Sequence, residues 1–229
     1  NALELGSLMV KIGELAGRET VAYITDMDQP LGLAIGNSIE VIEAAETLKG
    51  RGHEDLLSLC LEFGSEMMVL AEIEKDKSKA LERLKASIDS GKALDKFKEI
   101  ISSQGGEPRV LDDYSLLPKA NFELEVRAQA DGFIKQIDAI RLGLVSMKLG
   151  AGRQKKDDII DPAVGIWIYK KVSDKVTKGE CIAKILANDK EKLTWAADET
   201  KAAFEYSSKP IARRKVIWAK ITKSGIAEL

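Results

Sequence analysis

The sequence predicts a mixed α/β fold in two parts, a partial α/β segment of helices plus one strand over residues 1–115 and a β-rich subdomain over 119–229. Three observations carry this. Apolar residues recur at helical spacing through most of the first half. From about residue 119 the period drops to two, with Phe122, Leu124 and Val126 alternating with Glu123, Glu125 and Arg127. Between the two regimes lies a connector with Pro108 and the acidic pair Asp112-Asp113.

Taken in order, Leu5, Leu8, Met9, Ile12 and Leu15 form the stripe of a first helix that ends near Ala16, with Gly17 as a left-handed stop just beyond. The stripe is present from the first turn and the first residue is not Met, so a piece of a longer polypeptide is expected. Residues 20–25 are β-branched and aromatic, a strand. The turn-rich run Asp26-Met27-Asp28-Gln29-Pro30-Leu31-Gly32 follows it, at the end of a strand where ligand loops of open α/β sheets sit. Asn37 with Glu40 three residues on reads as a capping box opening the next helix. Residues 53–74 are apolar nearly all round, which predicts a helix buried on most sides. Charged amphipathic helices follow over 77–89 and 93–103.

In the second half, residues 130–134 turn into another strand. Residues 139–149 predict a short helix running into Gly150-Ala151-Gly152-Arg153. Strands are expected over 164–172, 181–186 and 215–222, and a final helix over 190–204.

Composition narrows the chemistry. With 35 Lys+Arg against 37 Asp+Glu, the near-neutral charge gives no reason to expect nucleic acid or an anionic membrane as partner. His53 is the single histidine, which excludes a metal centre built on two or three imidazoles. Cys60 and Cys181 are too few for a disulfide framework and are expected as free thiols in a reducing, cytoplasmic setting. No apolar run reaches the roughly 18–20 residues of a membrane span.

The candidate residues divide into plain and chemical readings. Asp26 and Asp28 read chiefly as turn-forming acids, with an acid pair for a cation or proton transfer as the alternative. Of Glu40, Glu43 and Glu46, spaced by three on one helix, Glu40 is assigned to the cap and Glu46 to solvent. Glu43 is positioned to face back toward residues 31–34, where loop carbonyls and one carboxylate would supply the hard oxygens that alkali or alkaline-earth ions take. Residues 150–153 form a C-cap and turn, with a moving loop tipped by Arg153 as the functional option. Lys209, Arg213, Arg214, Lys215, Lys220 and Lys223 make a basic end, read as a solvated edge paired with acids elsewhere. His53 reads as a helix-start residue and Cys60 as a core thiol. These residues alone assemble no complete active site.

A set of blocks in fixed order adds a resemblance. Thr25-Asp26-Met27-Asp28-Gln29-Pro30-Leu31-Gly32, then Gly36-Asn37, Glu40-Val41 and Glu46-Thr47-Leu48-Lys49-Gly50 open the series. Asp55-Leu56, Ser90-Gly91-Lys92-Ala93, Gln104-Gly105-Gly106 and Leu149-Gly150-Ala151-Gly152-Arg153 continue it. Lys155-Lys156-Asp157-Asp158-Ile159-Ile160-Asp161 runs into Val164-Gly165-Ile166. Together they resemble the C-terminal half of the pyrimidine-nucleoside phosphorylase and thymidine phosphorylase family, in wording closer to its broad-specificity bacterial members.

The resemblance implies part of the large α/β domain of a nucleoside phosphorylase, with a C-terminal subdomain like a barrel-sandwich hybrid. Family members are homodimers in which phosphate attacks C1′ of a pyrimidine nucleoside, giving free base and (deoxy)ribose 1-phosphate. Their Lys-His-Ser-Thr-Gly-Gly phosphate motif and pyrimidine site lie in the N-terminal half and have no match here, so this chain alone is expected to be inactive. One site carries over, a potassium ion held by the Leu31 and Ala34 carbonyls and the Glu43 side chain, completed by the missing half. Asp131-Gly132 and Asp174-Lys175-Val176-Thr177-Lys178-Gly179-Glu180 also resemble the turns of lipoyl and biotinyl carriers. A carrier-like or purely structural fragment is therefore the alternative, weakened because Met147-Lys148 falls in an expected helix and not at a hairpin tip.

Overall fold

The stripe that opens the sequence folds into helix α1 (Ala2–Leu15) in a computed structural model that describes all 229 residues. Asn1 caps it, its side chain accepting from the Glu4 N–H at 2.9 Å. In chain order there follow strands β1 (Ala22–Thr25) and β2 (Ala34–Ile35) and helices α2 (Asn37–Leu48), α3 (Glu54–Leu70), α4 (Lys77–Asp89) and α5 (Lys92–Ser103). Two short 3-10 turns cover Pro108–Leu111 and Tyr114–Leu116. Then come β3 (Phe122–Arg127), β4 (Gly132–Ile137), α6 (Ala139–Ser146), β5 (Gly165–Ile168), β6 (Lys175–Val176), β7 (Cys181–Ala187), α7 (Lys190–Ala202), β8 (Phe204–Ser207), β9 (Ile217–Thr222) and β10 (Gly225–Glu228).

The fold is mixed α and β, with three open sheets in which every strand pair is antiparallel. The chain forms two units that interleave along the sequence, Asn1–Met27, Ser58–Leu84 and Arg213–Leu229 in one, Asp28–Leu57 and Lys85–Ala212 in the other. This partition differs from a division between 1–115 and 119–229. The reason is pairing, because β1 takes its ladder from β9, with Ala22 opposite Ile221, and so draws the C-terminal segment into the first unit.

In the first unit the sheet order is β1-β9-β10, and α1 packs on β1 and β9. Val10 and Gly6 are buried there, while Leu5, Leu8, Met9, Ile12 and Leu15 are exposed. The α3 expectation is corrected, since its buried residues are Ser65 and Glu66 and its apolar side chains are only partly covered. Glu66 goes inside because cations and a phenol meet it there. Cys60 is exposed, not a core thiol.

The second unit holds the main core. Its sheets run β2-β5-β7-β3 and β6-β4-β8. Central strand β7 buries Ile182, Ala183, Ile185 and Ala187 in one cluster with Ile166 and Ile168 of β5, Ile134 and Ile137 of β4, and Leu142 and Val145 of α6, while its Leu186 joins a second, small cluster with Ala34 and Ile39. Each fully buried Ile or Leu contributes roughly 1.5–3 kcal/mol. On β3, an edge strand, only Val126 of the alternating triplet is fully buried, because no strand lies beyond it to cover Leu124. The last helix stops at Ala202, earlier than the sequence suggests, since Phe204 opens β8 opposite Ile137 of β4. Strands β2, β6, β8 and β10 escape sequence reading, β2 and β6 being two residues long, β8 following directly on the last helix and β10 being exposed throughout.

Candidate functional site

The loop between β1 and β2 and the helix after it build the site in the second unit. Helix α2 starts one residue earlier than the capping box suggests. Gly36 is its N-cap, its N–H held by Glu40 Oε1 at 2.9 Å, while Asn37 sends its side-chain amide to the Ala151 carbonyl at 2.8 Å. With the helix start so fixed, Glu43 lies two turns along, on the face toward the loop. Its Oε1 accepts from the Leu33 N–H and its Oε2 from the Ala34 N–H at 3.3 Å. Burial pushes the Glu43 carboxyl above its ordinary value, and the two N–H groups only partly offset it.

Strand register decides where the Ala34 carbonyl goes. Ile168 N–H donates to the Leu33 carbonyl at 2.7 Å, so the next pair, Ala34 with Trp167, is a non-hydrogen-bonded pair of the ladder. Because β2 is an edge strand, the Ala34 N–H and C=O then point away from β5. Gly32 takes φ +66°, and a Cβ there would lie 2.5–2.8 Å from the Glu43 carboxylate, so only glycine lets the carboxylate sit against this loop.

A buried lysine completes the arrangement. The Lys171 ammonium, just past β5, donates to the Pro30 and Gly32 carbonyls, the latter at 2.9 Å, and pairs with Asp55 Oδ2 at 2.7 Å. Asp55 Oδ1 accepts from the Gly32 N–H at 3.2 Å and lies 2.6 Å from His53 Nδ1. Burial alone would raise the Asp55 carboxyl, but the bonds from His53 and Lys171 outweigh it and hold it well below the usual carboxylate range. Of the carbonyls from Pro30 to Ala34, three thus have donors. Leu31 and Ala34 are the two that do not.

The chemistry of this donor set suits a hard, singly charged cation. Two backbone carbonyls without donors belong to the loop that the Glu43 carboxylate meets, and Glu43, Asp55 and Lys171 together leave one negative charge. No group of three or more His, Cys, Asp or Glu side chains forms a second candidate.

Other sequence candidates land as follows. Asp26 meets Arg214 Nη1 at 3.6 Å, and Lys220 meets Glu66 at 2.6 Å, so the basic end pairs with acids of its own unit. Around Glu66 the Tyr23 hydroxyl also contacts Glu62, and burial with both carboxylates drives its pKa up, keeping it a neutral donor. Glu46 is not free in solvent, because Arg51 grips it at 2.6 and 2.8 Å and lowers its pKa to about 2. Lys148 lies in the π-helical turn after α6, 5.2 Å over the Trp195 ring, and not at a hairpin tip. Sequence reasoning missed Lys171, whose partners lie near Pro30 and carry no local spacing signal. Asp55 entered only as part of a motif.

Comparison with known proteins bears on all of this. Residues 133–207 match the pyrimidine nucleoside phosphorylase C-terminal domain family. A pyrimidine-nucleoside phosphorylase of Bacillus subtilis (strain 168) is 48% identical over 188 residues, 82% of this chain and 43% of that protein. One from Geobacillus stearothermophilus is 42% identical over 222 residues, 97% of this chain and 51% of that protein. One from Staphylococcus epidermidis (strain ATCC 12228 / FDA PCI 1200) is 49% identical over 191 residues, 83% of this chain and 44% of that protein. The chain spans about half the length of the curated relatives it matches.

Proposed function

Since the chain belongs to the pyrimidine-nucleoside phosphorylase family and corresponds to its C-terminal part, we propose that it serves as that part of an enzyme converting a pyrimidine nucleoside and phosphate to free base and (deoxy)ribose 1-phosphate. In that reaction a phosphate oxygen bonds to C1′ as the C1′–N bond breaks, its electron pair leaving with the base. The observation that carries the proposal is the match over 97% of the chain to a relative of that name. Here the chain's own contribution is support for the site.

The Leu31 and Ala34 carbonyls and the Glu43 carboxylate would hold potassium, which supplies positive charge beside a phosphate-binding segment. Glu43 orients the Leu33 and Ala34 amides, Lys171 and Asp55 fix the loop before them, and Gly32 admits the carboxylate. A homodimer formed through the remainder of the enzyme, a cytoplasmic location and a barrel-sandwich arrangement of the β-rich part belong to the same proposal. The free state of Cys60 and Cys181 supports the location.

The test is phosphorolysis of uridine and thymidine by this chain alone and by the chain joined to the N-terminal portion of the Bacillus subtilis relative. Turnover is expected only in the joined protein. Turnover by the chain alone would refute its role as a supporting part, and a folded but inactive joined protein would count against the activity.

A further inference from the structure

We infer that Lys171 is a positioning residue for the oxygen cluster of Leu31, Ala34 and Glu43, an inference that rests on reading that cluster as a cation site. An ammonium has three N–H donors, and the Lys171 ammonium is met by three acceptors, the Pro30 carbonyl, the Gly32 carbonyl and Asp55 Oδ2. Its side chain is only 8% exposed, so water does not compete for these bonds. Its backbone is tied as well, with the Lys171 N–H on Asp174 Oδ2 at 2.8 Å and the Val172 N–H on Gln29 Oε1 at 3.2 Å.

The effect is to sort the loop's carbonyls. Lys171 commits those of Pro30 and Gly32, β5 commits that of Leu33, and Leu31 and Ala34 remain for a ligand. Without the ammonium, two more carbonyls would lose their donor and Asp55 would lose one of its partners, and the freed carbonyls would compete for water or for the ion. The same ammonium cancels one of the two carboxylate charges, which matches the cluster to a singly charged ion instead of a divalent one.

Hydrogen exchange of the 229-residue chain tests this, with peptides covering 28–36 as the readout and 181–187 in β7 as the reference. Lys171→Met should speed exchange in 28–36 at least tenfold and leave 181–187 unchanged, whereas Lys171→Arg, keeping charge and donors, should restore part of the protection. Unchanged exchange in 28–36 overturns the inference. Should Lys171→Met also lose protection in 181–187, the unsubstituted chain decides. A slowly exchanging Lys171 Nζ resonance by nitrogen-15 NMR supports the triple anchoring, and a fast, averaged one overturns it. Crystals of the chain joined to the N-terminal portion of the Bacillus subtilis relative, soaked in thallium(I), separate the two readings. An anomalous peak among Leu31, Ala34 and Glu43 that weakens in Lys171→Met supports the inference, and one of equal height overturns it. No peak in the unsubstituted joined protein, beside the expected exchange pattern, sinks the cation site while the hold of Lys171 on the loop stands.

Discussion

Gly32 shows how one missing side chain governs the loop. At φ +66°, with the Glu43 carboxylate 2.5–2.8 Å from where a Cβ would stand, Gly32→Ala combines backbone strain with a clash. It should cost about 1–3 kcal/mol, which for a chain of this size lowers the melting temperature by roughly 2–4 °C per kcal/mol in a calorimetric scan. Asp55 gives a pH signature. Its folded pKa lies below its unfolded value, so the unfolded state binds protons more readily in acid, and the stability it contributes is full above about pH 5 and is lost as pH falls. Asp55→Asn should flatten the fall of the urea midpoint between pH 5 and 3, leaving the slope from Glu46 in place. Glu43 runs the other way, since its folded pKa is raised and its contribution is greatest when protonated. At this scale the site was half legible. Glu43 facing residues 31–34 could be read from helical spacing, because α2 begins within a residue of its expected start. Lys171 could not, because nothing in a strand end marks which distant carbonyls a lysine will meet.

Among elements, the segment from Gly150 to Asp161 is the most distinctive. Gly150 takes φ +126°, the Asp161 N–H closes back on the Gly150 carbonyl at 2.9 Å, and Asp158 ties the Gln154 and Lys155 amides. Arg153, Lys155 and Lys156 are all exposed at its tip. Trypsin at low dose should therefore cut first within residues 153–156, as mass spectrometry of the fragments would reveal, and first cuts elsewhere would argue against a loop that opens. Helices were the most legible elements, since α1, α4 and α5 carry their own stripes and stops. Strand content was harder. The burial of β7 on both faces blurs its alternation, and β10 has no buried face to pattern. Helix α3 misled because an apolar sequence invites burial, yet the charges around Glu66 took the inside place.

At the scale of the whole molecule, the first unit presents an uncovered apolar face on α1, where Leu5, Leu8, Met9, Ile12 and Leu15 are each more than half exposed. Contiguous apolar surface of this kind binds hydrophobic dyes. The native chain should enhance anilinonaphthalene sulfonate fluorescence, and Leu8→Glu with Ile12→Glu should remove most of that enhancement without loss of helical circular dichroism. A dye signal unchanged by the pair of substitutions would place the bound dye elsewhere. The pairing of Ala22 with Ile221 reaches further, into how the molecule is made. Loop-closure entropy grows slowly, by about 0.6 kcal/mol per doubling of length, so joining residues this far apart weighs little on the finished protein. It weighs on timing. A ribosome delivers α1 and β1 well before the segment 213–229, so while the residues between them are made the first unit carries a greasy helix and a strand with no ladder, surface of the kind that aggregates.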